Sequence, residues 1–256
     1  MGRVAIVSVR ALALPTALTS AGGVMHERPS SRPAGHGYPC GLSAGLGGTG
    51  LVADDLYLLA HDDRTGKPLL QPRALGIGLA GALLAELRLP GWIGRRWDGT
   101  VVIAQGVPYQ AAQRHPLLRQ IADEPGPQPV QAWLRYLARG AARDVALRLE
   151  QEGYLAQARN WIPWRPGRWV PVNPEWAFAP VPRIRSALDP AGPVTPHAAV
   201  LAGLAVACGL TFRLEQYQAL DGRSVPDAVA AIDPGLQDLI IQTQTAVDST
   251  VLSRRL

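Results

Sequence analysis

The sequence predicts a mainly α fold, a multi-helix domain with a central helical bundle and small projecting β-hairpins. Apolar residues recur at helical spacing in several segments. One of these, Ala198–Leu210, is apolar almost throughout, as a helix in the centre of a bundle must be. Two short strand-turn-strand signals each follow a helix that a glycine ends.

The elements follow in chain order. Leu51, Val52, Asp55, Leu56 and Leu59 keep helical spacing. Asp54 and Asp55 stand near the start of that helix, where carboxylates suit the positive end of its dipole. Thr65-Gly66 makes a turn, and Ala74–Leu89 is a strongly apolar helix ended by Pro90-Gly91. Trp92-Ile93, the turn Asp98-Gly99 and Thr100–Ile103 form a hairpin. His115-Pro116 opens a short helix that ends near Asp123. The linker Pro125–Pro129 leads to helices Val130–Arg139 and Ala141–Glu152, separated by Gly140. Gly153-Tyr154-Leu155 then enters a second hairpin, so one supersecondary pattern is used twice. Pro174–Pro193 is a Pro-rich connection with a short helix near Arg183–Leu188. Thr195 caps and Pro196 starts the buried helix His197–Cys208. Two or three further helices, including Pro234–Leu252, complete the chain.

Residues 1–48 differ from the rest. Val4–Val9 and Ala11–Leu14 are apolar but split by Arg10, which spoils a signal-peptide core. Arg28–Gly48 is rich in Pro, Ser and Gly. Residues 1–48 therefore read as a disordered N-terminal extension, with Met25 an alternative initiator, and residues 49–256 as the helical domain. The apolar run at 198–210 falls short of the roughly 20 residues a bilayer span needs. Cys208, inside it, reads as a small buried hydrophobe, and neither it nor Cys40 has metal-ligand spacing.

Charge is unevenly placed. Residues 1–87 carry 7 basic and 6 acidic side chains, residues 88–185 carry 14 and 7, and residues 186–256 carry 4 and 7. Lys67 is the only lysine, an arginine bias that fits a GC-rich, bacterial-type genome. A basic middle third favours phosphate-bearing partners, either anionic lipid or nucleic acid. Within it, Trp161-Ile-Pro-Trp164-Arg165-Pro-Gly-Arg168-Trp169 places three tryptophans and two arginines around a Pro-Gly turn. Trp suits a boundary between apolar and wet surroundings, and Arg binds phosphate through its planar fork of donors.

Motifs for other chemistries fail on context. Gly45/Gly47/Gly50 and Gly76/Gly78/Gly81 match G-x-G-x-x-G, but no apolar strand precedes either. The second set reads as glycines that let helices approach closely. Asp54-Asp55 and His61-Asp62-Asp63 resemble metal-site parts, yet adjacent helical residues point different ways, so they read as capping plus a solvated turn. No nucleophile-base pairing stands out, so no catalytic residue, metal or cofactor is expected. A winged-helix DNA reading meets two obstacles. Ala74–Leu89 is too apolar for a groove, and Asp144, Glu150 and Glu152 on the other helix repel phosphate.

An ordered series of segments resembles the Golgi phosphoprotein 3 family. It comprises Leu51–Ala60, then Asp62–Gly66, then Leu79–Leu87, Trp133-Leu134, and Leu149–Leu155 before a hairpin. The similarity spans about residues 50–252. It implies a helical domain with a central bundle, an amphipathic outer ring and a projecting hairpin. It also implies a peripheral membrane protein without catalytic activity that binds phosphatidylinositol 4-phosphate. A bacterial-type composition removes the Golgi trafficking role, leaving a cytoplasmic protein on the inner face of the membrane. The family's headgroup residues, a Trp and three Arg, align with Gln71, Ala80, Arg139 and Ala142, so one of the four is kept.

The expectation is therefore a looser anionic site. Arg73, Arg139 and Arg143 would bind the headgroup, while Trp161, Trp164 and Trp169 enter the interface beside Arg165 and Arg168. The competing expectation is a protein-interaction module that forms a homo-oligomer through the hairpin, with DNA binding third.

Overall fold

In a computed structural model that describes residues 49–96, 98–158, 168–216 and 222–252, helix α1 (Val52–Leu59) is buried at all eight positions. A helix apolar on every side must be enclosed by others. The first to do so is α2 (Pro72–Arg88), with Pro72 in its first turn, where a missing N–H costs nothing. Arg88 ends α2, and strands β1 (Ile93–Arg95) and β2 (Val101–Ile103) pair antiparallel with Ile93 opposite Ile103. Asp98 closes their turn by accepting from the Thr100 amide and hydroxyl.

Next come α3 (Tyr109–Arg114), α4 (Pro116–Asp123), α5 (Val130–Leu137) and α6 (Ala141–Gln151). Strands β3 (Leu155–Gln157) and β4 (Trp169–Pro171) form the base of the second hairpin, with Leu155 opposite Pro171. After a short 3-10 turn at Pro174–Phe178, the chain adds α7 (Pro180–Leu188), α8 (Pro196–Ala207), α9 (Thr211–Gln216), α10 (Val225–Ala230) and α11 (Pro234–Leu252). The centre is a bundle of α1, α2, α8 and α11, against which α5, α6 and α7 pack. Its largest fully buried side chains include Leu56, Leu79, Leu84, Leu201 and Leu204. The mainly helical class with two small hairpins is as the sequence predicts.

The glycines of α2 are contact points. A side chain on Gly76 would strike the Ala138 carbonyl after α5, one on Gly78 the Cys208 thiol, and one on Gly81 the Thr243 side chain of α11. The Gly76/Gly78/Gly81 spacing thus serves helix approach, with neighbours on three sides of α2. Cys208 is 5% exposed, and burial pushes its thiol up to about 12.

The first hairpin is fastened to α11. Arg88 donates through Nε and Nη2 to Asp233 and through Nη1 to the Ile93 carbonyl, while Arg95 pairs with Asp238 at 2.5 Å. Two details depart from the sequence reading. Tyr109–Arg114 is helical although it lacks an apolar stripe. Thr195 occupies the N-cap position of α8 but its hydroxyl makes no capping bond, leaving the start of the helix to Pro196. The extension expected over residues 1–48 lies outside the described residues. No helix among the described residues is long and apolar enough to cross a membrane.

Candidate functional site

Three of the arginines expected to bind phosphate lie around one helix junction. The bare Gly76 backbone presses α2 against Ala138, so the first turn of α2 meets the turn joining α5 to α6. Arg73 sits three residues before Gly76, Arg139 follows Ala138, and Arg143 lies in the first turn of α6. All three are exposed. Among the described residues none of them enters an ion pair.

The junction also gathers two helix N-termini. Neither Gln71 before α2 nor Gly140 before α6 makes a side-chain capping bond to its helix. Such ends attract anions through amide donors and the helix dipole. Asp144 shares the first turn of α6 with Arg143 and lies beside Gly140, tempering the positive field there. Arg135, one turn before Arg139, and Arg119 on α4 are exposed as well. The Gln120 amide donates to the Tyr136 hydroxyl at 2.7 Å, tying their two helices together. These two arginines were missed in the sequence. The signal available was the four-residue spacing of Arg135 and Arg139.

Of the four positions aligned with the family's headgroup residues, Arg139 alone is an arginine, and it is exposed. Ala80 is wholly buried, Ala142 packs against the core, and Gln71 is exposed.

The hairpin residues divide. Trp161, Trp164 and Arg165 lie outside the described residues. Arg168 is exposed next to β4. Trp169 does not fit the expectation of a side chain free to enter an interface. Its indole N–H donates to Glu150 of α6 at 3.0 Å, and its ring packs against the core. Its carbonyl meets Gly66, where only hydrogen fits and φ is +62°. Trp169 therefore anchors the base of the hairpin to α6 and to the loop between α1 and α2.

The reading of Asp54 and Asp55 as capping carboxylates is corrected, while Asp62 does sit in an exposed turn, accepting from Thr65. Asp54 and Asp55 are both fully buried. They do point different ways, as adjacent helical residues should, but an arginine waits on each side. Arg148 of α6 donates through Nε to Asp54 at 2.8 Å and through both Nη atoms to Glu86 of α2 at 3.1 Å. Glu86 also accepts from the Ala53 amide. On the other side, Arg183 of α7 gives Nη1 to both Asp55 oxygens at 2.5 and 2.7 Å. Burial raises the pKa of Asp54 and of Glu86, with Arg148 opposing it. Burial pushes Asp55 up to about 7 despite Arg183. For Arg148, burial works against the charge, and Glu86 and Asp54 more than offset it. The enclosing helices are what sequence spacing could not supply.

His61 is buried, stacked on Tyr57, and bonds the Tyr57 carbonyl through Nδ1 at 2.7 Å. Burial pulls it down to about 4. It thus stands as a satisfied core residue, and no group of three or more metal-ligating side chains occurs among the described residues.

The model of the Golgi phosphoprotein 3 (GPP34) family covers residues 52–241, from the first residue of α1 into the middle of α11. No curated protein matches the sequence.

Proposed function

We propose that this chain, which belongs to the Golgi phosphoprotein 3 family, is a peripheral membrane protein that binds anionic phospholipid and carries no catalytic activity. The headgroup would be of the phosphatidylinositol 4-phosphate kind, held at the α2–α5–α6 junction. The observation that carries the reading is the Gly76–Ala138 contact. In support, Arg73 three residues before Gly76, Arg139 next to Ala138 and Arg143 in the first turn of α6 are each exposed. Phosphate oxygens accept from both guanidinium forks and helix-terminal amides.

Helix α6 has 11 residues, so it spans roughly 16 Å at 1.5 Å per residue. Arg143 is at one end and the Trp169 anchor at the other. A membrane reached by both ends would lie along α6, with Trp161, Trp164, Arg165 and Arg168 supplying the interfacial contact of the hairpin. Such a protein would work from the cytoplasm on the inner face of the membrane.

Flotation with liposomes tests the proposal. Binding is expected to anionic vesicles, to weaken with salt, and to be absent with neutral ones. Equal binding to both vesicle types, or none to either, refutes it. Each basic residue at such a surface contributes ~1 kcal/mol, so replacing Arg73, Arg139 and Arg143 together by Ala should nearly abolish binding.

A further inference from the structure

Strand β2 presents a main-chain edge that the fold leaves open. In an antiparallel pair the ladder bonds fall on alternate residues. In the first hairpin they fall on the even-numbered ones, since the Ala104 amide donates to the Trp92 carbonyl and the Arg96 amide to that of Thr100. Val101 and Ile103, opposite Arg95 and Ile93, therefore turn their N–H and C=O groups away from β1. The Val101 amide donates to the Gln128 carbonyl at 2.8 Å, beside a bridge between Thr100 and Pro129 at which the later chain runs antiparallel to β2. Continued in that register, Gly126 would fall opposite Ile103 and exchange both main-chain bonds with it. It does not. The Gly126 carbonyl accepts instead from the Gln128 side chain at 3.4 Å, and Pro125 and Pro127 on either side have no N–H to give. Neither the N–H nor the C=O of Ile103 has a hydrogen-bond partner among the described residues.

Between this edge and residues 124–128 lies a cavity of about 270 Å³. Val101, Ile103, Ile121, Pro125, Pro127 and Trp133 make its apolar walls. The volume is close to the roughly 300 Å³ at which small-ligand pockets begin. Trp133 is 4% exposed, and its indole N–H is buried with no acceptor among the described residues. Buried donors are nearly always paired, so this wall carries a donor that the chain itself does not use.

We infer that this cleft binds an aliphatic amino-acyl unit, –NH–CHR–CO–, in extended form. The carbonyl of the unit accepts from the Ile103 N–H, and its N–H donates to the Ile103 carbonyl, as residues opposed across an antiparallel ladder do. The open edge fixes where the unit lies, and burial of R among the apolar walls supplies the rest of the binding. Glu124, the one charged residue lining the cleft, disfavours a free carboxylate there, so the unit ends in an amide and not in an acid. The cleft is at the start of α5, whereas the arginine junction lies beyond its end. The inference therefore stands whether or not the protein binds lipid.

The probe is N-acetyl-leucine methylamide, titrated into the isotope-labelled full chain and followed at the Ile103 amide resonance, assigned with Ile103→Val. That resonance should shift saturably, and its hydrogen exchange should slow. The analogue methylated on the leucine nitrogen cannot donate to the Ile103 carbonyl and should bind about fivefold more weakly or not at all. No shift at Ile103, or equal binding of the methylated analogue, overturns the inference.

A variant places the binding in the cleft. Ala122 is exposed on α4 and lines the cleft, so Ala122→Phe should fill it and abolish binding while the unfolding midpoint stays unchanged. Undiminished binding to that variant overturns the inference. The same leucine in the middle of a capped alanine pentapeptide distinguishes the two sources of such a unit. Tighter binding than the single residue supports the assignment with a protein segment as ligand, and equal binding supports it with a small acylated amino-acid amide.

Discussion

Helix α6 carries arginine at both ends, and the two ends use it in opposite ways. At its start, Arg143 and the preceding Arg139 are exposed and without ion pairs among the described residues. In the same helix, one turn from its end, Arg148 is inserted between Asp54 and Glu86 with 19% of its side chain exposed. The same residue type therefore holds the fold together at one end and stands exposed at the other. What decides is the partner presented by the neighbouring helices. Helices α1 and α2 bring two carboxylates to Arg148, whereas Asp144, the acidic residue in the first turn of α6, forms no ion pair with Arg139 or Arg143 among the described residues.

Breaking the buried end should have the largest effect. Arg148→Ala leaves Glu86 and Asp54 as uncompensated buried charges, and removing one partner of such a pair costs about 3–5 kcal/mol. Chemical denaturation should show that loss as a lower midpoint. A change below 1 kcal/mol would mean that the carboxylates find water or protons, erasing the contrast between the two ends.

The hairpin anchor comes next. Trp169→Phe keeps the ring in its packing but removes the N–H bonded to Glu150, a loss of about 1 kcal/mol. If the anchor orients the hairpin for membrane contact, liposome affinity should fall as well as stability. Lost stability with unchanged affinity would separate the hairpin from binding.

The exposed end should barely affect the fold. Arg139→Ala and Arg143→Ala should each shift stability by no more than about 0.5 kcal/mol. Each should weaken binding to anionic vesicles by about fivefold, the equivalent of ~1 kcal/mol. Thermal unfolding and flotation on the same samples distinguish the two readouts.

Much of the architecture was legible because local pattern and tertiary role agree. Pro234–Leu252 is helical over the span read from sequence, and Ala74–Leu89 became Pro72–Arg88. Both hairpins follow the glycine stops that announced them. The candidate site was legible only as residue types. Periodicity marks a face of a helix, but whether that face meets solvent or another helix depends on chain far away in sequence. Asp54 and Asp55 show this most sharply. They were judged by the solvation usual for carboxylates, although every other position of α1 is apolar. A helix apolar on all sides has no solvated face, so any charge on it must find a buried partner. Arg148 and Arg183 were therefore implied by the burial of α1, though not identified by it.

The contact between Gly78 and Cys208 bears on how the centre of the bundle opens. The thiol lies where any side chain on α2 would collide with it, and its burial keeps it protonated at neutral pH. Reagents that need a thiolate can therefore act only after α2 and α8 have parted. In a chain carrying Cys40→Ser, the rate of that reaction counts openings of the core directly. An adduct on the sulfur would then block reclosure, since Gly78 has no side chain to withdraw. Oxidation at this one atom would thus convert a passing opening of the bundle into a permanent one.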